Sequence, residues 1–597
     1  MNVGVELDSG FVYTPARLNR KGSDMRTPHS AHPCALVITE VSAVNIEHRE
    51  AQRWFVDFGR AFFGTVRVTI RSAHAQTLEV CLGEKLAESG AIDRTPPGSI
   101  RCRIMPLAVQ AGTYSYQVVI PADDRNTGAQ AIRMPADLFE VLPFRYAEIS
   151  GVGVELRDMV MLAVHVPFND SAATFECSDA RLNRVWELCK HSIKVTSFCG
   201  LYVDGDRERI PYEADAYINQ LSHYGVDHEY ETARRTLEHL IFQPTWPTEW
   251  ALHFAPMAWA DYEYTGQADF LARYYDELRT KLLLPLARED GLISTTTGLM
   301  TPELLARLHL NRPMGDIVDW PPGSFTEGGT GERDGHEMLP INTVVNAFHY
   351  WNLELFGKIA TVLDRPDDVA FFAQRSALVA ASMRRTLFSR ERGVFVDGEG
   401  SSHASLHSNC FSASFGLVPP GAAPGVLTFI RSRGMACSVY GAQYLLESLY
   451  RLGDSRHALD LMTAEHDRGW LNMLRAGSTV TLEAWDWRYK NNLDWNHAWG
   501  AAPANIIPRF VVGVRPAEPG FKTVQVAPQP AGLEHVAATV PTGRGPVRVV
   551  VDRDGGKNQR LIVDSPAPVR LDLSGLTGQH VPVRHLEAGR HAIEIHA

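Results

Sequence analysis

Residues 345–362 read Val345-Asn-Ala-Phe-His-Tyr-Trp-Asn-Leu-Glu-Leu-Phe-Gly-Lys-Ile-Ala-Thr-Val362, with large apolar side chains every three or four positions. At 3.6 residues per turn this spacing places them on one face, which predicts an amphipathic helix. Asp364-Arg-Pro366 ends that helix, because proline cannot continue it, and Asp367-Asp368 is expected to cap the next one. The stretch therefore predicts a helical hairpin.

The same helix, tight turn, helix pattern recurs between about residues 178 and 508. Thr265-Gly266 separates residues 261–264 from 268–278, and Gly453-Asp454 separates 442–452 from 457–462. Each glycine stands where a left-handed C-cap is expected. Three or more such hairpins suggest a helical toroid. Globin-like and bundle packings stay open, because periodicity shows that helices pair but not that they close into a ring.

Period-two alternation flanks this helical region on both sides. Thr65–Ile70 and Thr77–Leu82 predict strands of an N-terminal β-sandwich, and residues 547–551, 561–563 and 593–595 predict a smaller C-terminal one. Gly513–Gly520, with two prolines and two glycines, is interpreted as a linker. The predicted domains are 1–170 (β-sandwich), 171–510 (helical, catalytic) and 511–597 (β-sandwich).

Length and charge narrow the classes of function. A chain of 597 residues is too long for one core, and its net charge of −11, without a Lys/Arg-rich stripe, argues against a nucleic acid or an anionic membrane as partner. Polar small substrates fit this composition, and a homo-oligomer stays open.

The cysteines and the N-terminus bear on compartment and metal binding. The eight cysteines form no CxxC pair and no quartet with histidine, so neither a zinc site nor a disulfide framework is expected. The N-terminus lacks a basic segment followed by an apolar run, and no stretch approaches 18 uninterrupted apolar residues. The sequence is therefore interpreted as soluble and cytoplasmic, without a signal peptide.

Tyr202-Val-Asp-Gly-Asp-Arg-Glu-Arg-Ile-Pro-Tyr-Glu-Ala-Asp215 holds five carboxylates in fourteen residues, and a second group of acids and aromatics follows at Leu482-Glu-Ala-Trp-Asp-Trp487. Carboxylates exchange protons and bind sugar hydroxyls, while aromatic faces stack on pyranose rings. A solvated loop is the plain alternative. The interleaved aromatics favour a carbohydrate-cleaving site.

Four stretches in a fixed order resemble the α-L-rhamnosidases of glycoside hydrolase family 78. They are residues 144–151 with 175–183; the acidic segment 204–215; Thr481–Trp485; and Asn496-His-Ala-Trp-Gly500 followed by 513–516 and 519–521. The resemblance implies an (α/α)6-barrel catalytic domain. This chain departs from the family's acidic motif, because Cys-Pro-Gln is missing and Arg-Asp becomes Asp206-Arg207, which indicates a divergent subfamily.

The resemblance also implies roles for single residues. Glu208 aligns with the general acid and Glu483 with the general base. Asp204, across a two-residue gap, and Asp215 align with sugar-binding aspartates, and His497 with a sugar-contacting histidine. Inversion, as in that family, needs one protonated and one ionised carboxyl group about 6.5–9.5 Å apart, with a water between. No metal and no organic cofactor is required.

The arginines beside Glu208 set a condition on this assignment. Arg207 and Arg209 would lower the pKa of Glu208 if they paired with it, so both are expected to turn toward structural acids such as Asp206 or Glu213. Aspartates 204 and 215, if ionised, would raise the pKa of Glu208 instead.

Further candidates are single aromatic and acidic residues, for which the sequence signal is less specific than a motif. Trp250, Trp259, Trp320 and Trp485 are predicted to contact the sugar, with Trp246 and Trp487 as further wall residues, Asp319 as a hydroxyl ligand, and Glu249 and Glu332 as reserve bases. Core packing or loop capping is an alternative for each.

The sequence thus predicts an inverting exo-acting glycoside hydrolase that releases terminal α-L-rhamnose from an oligosaccharide or glycoside. The alternatives are a hydrolase or lyase of a helical toroid acting on another deoxy or uronic sugar, and a non-catalytic sugar-binding protein.

Overall fold

The computed structural model describes residues 35–49, 52–323, 331–554 and 558–596. Within these ranges, a sheet region, a central helical region and a second sheet region follow one another along the chain. The expected layout of a helical domain between two β regions is therefore confirmed. Cys34, one of the cysteines discussed above, lies outside the described residues.

The N-terminal region is an eight-stranded sheet built around one long strand. Its strands are β1 (Val37–Ser42), β2 (Asn45–Arg49), β3 (Arg53–Ser72), β4 (Gln76–Gly83), β5 (Cys102–Val109), β6 (Gly112–Gln117), β7 (Leu142–Ser150) and β8 (Val154–His165). The strand order is β1-β8-β3-β7-β4-β5, and β2 and β6 also pair with β3. Val66, Val68 and Ile70 are buried, as alternation predicts.

A short strand, β9 (Thr174–Cys177), leads into the helical region. The helices are α1 (Ala180–Val195), α2 (Glu213–Val226), α3 (Glu231–Phe242), α4 (Thr248–Ala251), α5 (Phe254–Thr265), α6 (Asp269–Arg273), α7 (Tyr275–Thr280), α8 (Pro302–Arg307), α9 (Thr343–Val362), α10 (Pro366–Thr386), α11 (Leu406–Ser414), α12 (Ala423–Arg433), α13 (Gly441–Arg451), α14 (Ser455–Met462), α15 (Trp470–Arg475) and α16 (Pro503–Ile506). A two-stranded ribbon, β10 (Phe388–Ser389) and β11 (Val394–Phe395), follows α10.

The predicted hairpins form at the predicted turns. Helix α5 ends at Gly266, whose φ of 72° is left-handed, and Gly453 between α13 and α14 has a φ of 83°. Pro366 is the first residue of α10, and Asp367-Asp368 lies in its first turn. The aspartates therefore do not cap α10 as expected but face the positive end of its dipole.

The C-terminal region contains two sheets. Its elements are β12 (Val514–Pro516), β13 (Val524–Val526), β14 (His535–Val540), β15 (Val547–Asp554), β16 (Asn558–Ser565), β17 (Val569–Leu571), helix α17 (Ser574–Thr577), β18 (Arg584–Leu586) and β19 (Gly589–His596). The sheet orders are β12-β13-β17-β18 and β19-β16-β15-β14-β9. Strand β12 occupies part of the stretch interpreted as a linker. Strand β9, which precedes all the helices of the central region in the chain, pairs with β14 of the second sheet.

The N-terminal sheet contacts the helical region through the bulge of β3. The backbone N–H of Ala61 donates to Thr479 at 2.8 Å, and Nε2 of His191 on α1 lies 2.9 Å from the carbonyl oxygen of Ala61. These contacts fix the sheet against the first helix. Among the described residues, no helix is both long and apolar enough to cross a membrane.

Candidate active site

The loop before α2 carries most of the acidic segment, and the N-terminal sheet region holds it in place. Asp206 is fully buried and pairs with Arg101, which directly precedes β5. Its Oδ1 also accepts from Asn126 at 3.1 Å and from Nε of Arg209 at 3.0 Å. Arg209 in turn donates to Glu140 at 2.7 Å. A buried aspartate with this many partners anchors the loop.

Gly205 makes the turn that the shortened motif requires. Its φ is +101°, and a Cβ atom there would lie 2.7 Å from the carbonyl oxygen of Asn496 and 2.8 Å from Oδ2 of Asp494. Only glycine fits both the conformation and the space.

We expect Gly205→Ala to lower the melting temperature and to abolish any activity of the site. Backbone strain of about 1–3 kcal/mol adds to a clash with backbone and a buried carboxylate. Gly90→Ala is the matched control, because Gly90 also has a positive φ, +77°, but its Cβ would meet nothing within 4 Å. Calorimetry that gave equal melting temperatures for both variants would contradict this role.

The acidic loop opens onto a cavity of about 220 Å³. Its lining combines acids, cations and aromatic or apolar side chains: Asp204, Arg207, Glu208, Tyr212, Asp215, Trp246, Pro247, Trp250, Ile317, Trp320, Glu483, Lys490, Asn492, His497 and Trp499. The cavity therefore brings together the carboxylates of two segments that lie about 275 positions apart in the sequence.

Glu208 reaches the cavity with its side chain 37% exposed. Its Oε2 accepts from the Tyr212 hydroxyl at 2.9 Å, and its Oε1 lies 3.5 Å from Nε of Arg207. Arg209 turns to Asp206, as expected. Arg207, which was also expected to turn away, forms an ion pair with Glu208 at 3.5 Å, and this pair counts against Glu208 as the acid.

Glu483 is almost completely buried and accepts from four donors. Arg207 binds it through both terminal nitrogens, at 2.8 and 2.9 Å. Nζ of Lys490 lies 3.0 Å from Oε1, and the backbone N–H of Asp494 lies 3.3 Å from Oε2. Burial raises the pKa of Glu483, but Arg207 and Lys490 outweigh it and the net pKa is lowered. Glu483 is thus held as a carboxylate.

Asp204 is the acid whose environment favours the neutral form. Burial, and then repulsion by Glu208, raise its pKa well above the ordinary value. Its Oδ1 accepts from the backbone N–H of Ile210 at 2.9 Å, whereas Oδ2 has no hydrogen-bond partner among the described residues. An unpaired polar atom in a cavity wall is free to bind a sugar hydroxyl.

His497 connects two further carboxylates. Its Nε2 lies 2.6 Å from Oδ1 of Asp215, on the first turn of α2, and its Nδ1 lies 3.5 Å from Oδ1 of Asp494. Although burial lowers the pKa of His497, these two acids raise it to about 10. His497 is therefore an imidazolium at neutral pH. The ion pairs of the charged His497 stabilise the folded state. Their contribution to the free energy of unfolding is complete below about pH 6.5 and is lost as the pH rises through about 10.

Glu483, Asp494 and His497 each offer a ligand atom within 4.8 Å of the others, a spacing that could hold a metal ion. Two cations already neutralise Glu483, and His497 carries a proton. The charge of this corner of the cavity therefore disfavours a further cation.

The same cavity has an aromatic wall. Trp246, Trp250, Trp320 and Trp499 line it, and the indole N–H of Trp499 donates to the carbonyl oxygen of Glu483 at 2.9 Å. Flat apolar faces and acids in one cavity are suited to a pyranose ring, which has polar and apolar sides.

Three residues predicted to contact a sugar lie outside the cavity lining. Trp485 is fully buried against Trp470 and donates to the carbonyl oxygen of Cys437. Trp259, on α5, packs on Tyr262 and under Lys358. Composition alone could not separate these indoles from those in the wall.

Asp319 is the third predicted sugar-contacting residue that lies outside the cavity lining, and it is fully buried. Oδ2 lies 2.7 Å from Nε2 of His407 and accepts from the N–H of Ser438 at 3.0 Å, while Oδ1 accepts from the N–H of Trp320 at 2.8 Å. Asp319 therefore holds the loop that presents Trp320. The reserve bases are likewise buried. Glu249 accepts from the backbone N–H groups of residues 317 and 318, and Glu332 pairs with Arg468.

We expect Trp320→Ala to raise KM for a glycoside about tenfold, because one stacking face of roughly 1 kcal/mol or more is lost. Trp259→Ala is the matched control and should leave KM unchanged, since that indole packs between helices. Steady-state kinetics measure KM for both variants. An equal change in KM would contradict the placement of Trp320 in the wall.

Sequence reasoning did not single out Lys490, Asn492 and Trp499 as lining residues. Trp499 lies two positions after His497 in the motif Asn496–Gly500. In an extended segment, side chains two positions apart point to the same side, and this was the available signal. Lys490 and Asn492 lie in a polar stretch between Glu483 and His497 that has the composition of an exposed loop.

Comparison with known proteins places the chain in a family. The sequence model of the bacterial alpha-L-rhamnosidase 6 hairpin glycosidase domain matches residues 170–511, that of the concanavalin-like domain 47–166, and that of the C-terminal domain 513–584. No curated protein matches the chain.

Solved structures show the same fold. A GH78 rhamnosidase of Bacillus sp. GL1 is 19% identical, with a TM-score of 0.68 over 87% of this chain and 53% of that one. The α-L-rhamnosidase from Dictyoglumus thermophilum is 15% identical, with a TM-score of 0.73 over 94% and 63%. The Streptomyces avermitilis α-L-rhamnosidase complexed with L-rhamnose is 16% identical, with a TM-score of 0.73 over 94% and 54%.

The chain thus spans only about half to two thirds of the length of these structures. They nevertheless share its order of sheet domain, helical domain and sheet domain, so the predicted six-hairpin fold is confirmed. Because the six-hairpin match covers more than half of the residues, the chain belongs to the bacterial α-L-rhamnosidase family, glycoside hydrolase family 78.

Proposed function

We propose that the protein is an inverting exo-α-L-rhamnosidase in which Glu208 is the general acid and Glu483 the general base. The single observation that carries this proposal is the shared cavity, which brings together Glu208, Glu483 and an aromatic wall. A cavity volume of about 220 Å³ suits one terminal sugar rather than the interior of a chain.

Glu208 is suited to the acid role because it is the more exposed of the two glutamates and reaches the cavity mouth. As a general acid it must carry its proton when the sugar is bound. Arg207 lies nearby, but its charge is largely neutralised by two short bonds to Glu483, against 3.5 Å for its contact with Glu208. The proton then passes to the departing glycosidic oxygen.

Glu483 is suited to the base role because its surroundings keep it ionised. A carboxylate on the opposite face of the ring can accept a proton from a water that attacks the anomeric carbon. The sugar hydroxyls would be held by Asp204, Asp215 and His497, whose polar atoms face the same cavity. Each of these roles also follows from the family motif, residue by residue.

A panel of aryl glycosides tests the substrate class. We expect release of the aryl group from 4-nitrophenyl α-L-rhamnoside, and far less from the corresponding mannoside, fucoside and glucuronide. Turnover of the glucuronide with an unsaturated, ultraviolet-absorbing product would indicate a lyase instead. Calorimetric binding of rhamnose without turnover of any glycoside would indicate a sugar-binding protein.

A further inference from the structure

Lys490 is a buried cation in the cavity wall, with its side chain only 3% exposed. Lysine is rarely buried so completely unless it is paired. Its Nζ lies 3.0 Å from Oε1 of Glu483 and 2.7 Å from Oδ1 of Asn492. Glu483 is the charged partner of this lysine and Asn492 a neutral one, so the geometry directs the ammonium charge at Glu483.

The hydrogen bonding of Glu483 creates a requirement that the proposed reaction must meet. A carboxylate has about four acceptor positions, and four donors are present, two of them from Arg207. A general base must accept a hydrogen bond from the attacking water. One donor therefore has to move before Glu483 can act.

Arg207 supplies two of these four bonds, so it can release one of them and stay paired with Glu483 through the other. Its Nη1 also donates to the carbonyl oxygen of Asn492 at 3.1 Å and keeps that partner if it leaves Oε2 of Glu483, while Nη2 remains on Oε1. Lys490, by contrast, makes one bond to Glu483, and among the described residues its other side-chain partner is the neutral Asn492. Departure of Lys490 from Glu483 would strand a buried charge, whereas Arg207 keeps its charged partner.

We propose that Lys490 is a positioning residue that keeps the Glu483 carboxylate ionised and oriented while Arg207 releases one of its two bonds so that the attacking water can bind. The inference rests on the proposed function of Glu483 as base. Lys490 touches neither the sugar nor the water in this role and acts through Glu483 alone.

Several charges face Glu483 and enter its titration. They are Asp204, Arg207 and Glu208 from the acidic loop, Asp215 from α2, and Lys490, Asp494 and His497 from the downstream segment. A base is active when ionised, so activity falls as pH drops through the pKa of Glu483. Removal of the Lys490 charge raises that pKa, and the acidic limb of the pH profile should move to higher pH.

The test is the pH dependence of kcat/KM on 4-nitrophenyl α-L-rhamnoside for Lys490→Met, Lys490→Arg and the wild type. We expect Lys490→Met to move the acidic limb upward by roughly 1 to 3 pH units and to lower kcat with little change in KM. Lys490→Arg should return the limb toward its original position, because the charge is restored. Lys281→Met is the matched control, since Lys281 is as deeply buried but binds the carbonyl oxygen of Leu308 outside the cavity lining.

A fall in kcat with an unmoved acidic limb would show a purely structural role and overturn the inference. Absence of turnover by the wild type would instead overturn the proposed function. In that case the pKa of Glu483 is read without turnover, by carbon-13 NMR of labelled glutamate carboxyls with Glu483→Gln for assignment. An unchanged pKa in Lys490→Met would overturn the inference there too.

Discussion

Glu208→Gln is expected to lower kcat/KM on rhamnosides with poor leaving groups by about 10²- to 10⁴-fold, with the fold intact. The amide cannot give a proton to the departing oxygen. A dinitrophenyl leaving group needs no such proton, so the variant should lose far less activity on 2,4-dinitrophenyl α-L-rhamnoside. Kinetics on a series of aryl rhamnosides of graded leaving-group pKa measure this dependence.

Two controls sharpen that result. Glu187→Gln makes the same chemical change at an exposed ion pair with Arg60 and should leave every rate unchanged. Asp204→Asn tests the other acid of the loop, whose pKa is raised by burial. If Asp204→Asn, and not Glu208→Gln, showed the leaving-group dependence, the proton donor would be Asp204 and the assignment of Glu208 would be wrong.

Glu483→Gln is expected to lower kcat by a similar factor, about 10²- to 10⁴-fold, on every substrate regardless of leaving group. Activation of water is needed whichever group departs. The variant also leaves Arg207 and Lys490 without their shared buried carboxylate, so we expect a loss of stability of about 3–5 kcal/mol. Thermal unfolding followed by circular dichroism measures that loss, and kinetics well below the melting temperature separate it from catalysis.

Glu465→Gln is the control for this variant, because Glu465 is exposed and lies in the turn before α15. It should change neither the melting temperature nor the rates. A Glu483→Gln protein that kept wild-type turnover while showing the expected loss of stability would reduce Glu483 to a structural partner of the two cations.

Local signals made the helical core predictable. The period of residues 345–362 and the glycines at 266 and 453 depend on neighbours within a few positions, and the structure has the predicted helices and left-handed caps there. Strand β9 gave no such signal, because Thr174–Cys177 pairs with β14, some 360 residues away. Pairing over that distance depends on the packing of the whole chain.

The candidate site likewise contains features that the sequence predicted and features that it did not. The motif placed Glu208, Glu483 and His497 near one another because their spacing is shared with a family. It did not distinguish Trp320, which lines the cavity, from Trp485, which is fully buried in the core. Nor did it predict that Arg207 would bind Glu483, since a contact between positions 276 residues apart has no local pattern.

The most direct test of the two-glutamate mechanism is proton NMR of the sugar first released from an aryl α-L-rhamnoside, recorded before the anomers equilibrate. Attack by a water held at Glu483, on the face opposite the leaving group, predicts β-L-rhamnose as the first product. Initial formation of α-L-rhamnose would show retention, and with it a covalent intermediate that contradicts the proposed roles of Glu208 and Glu483.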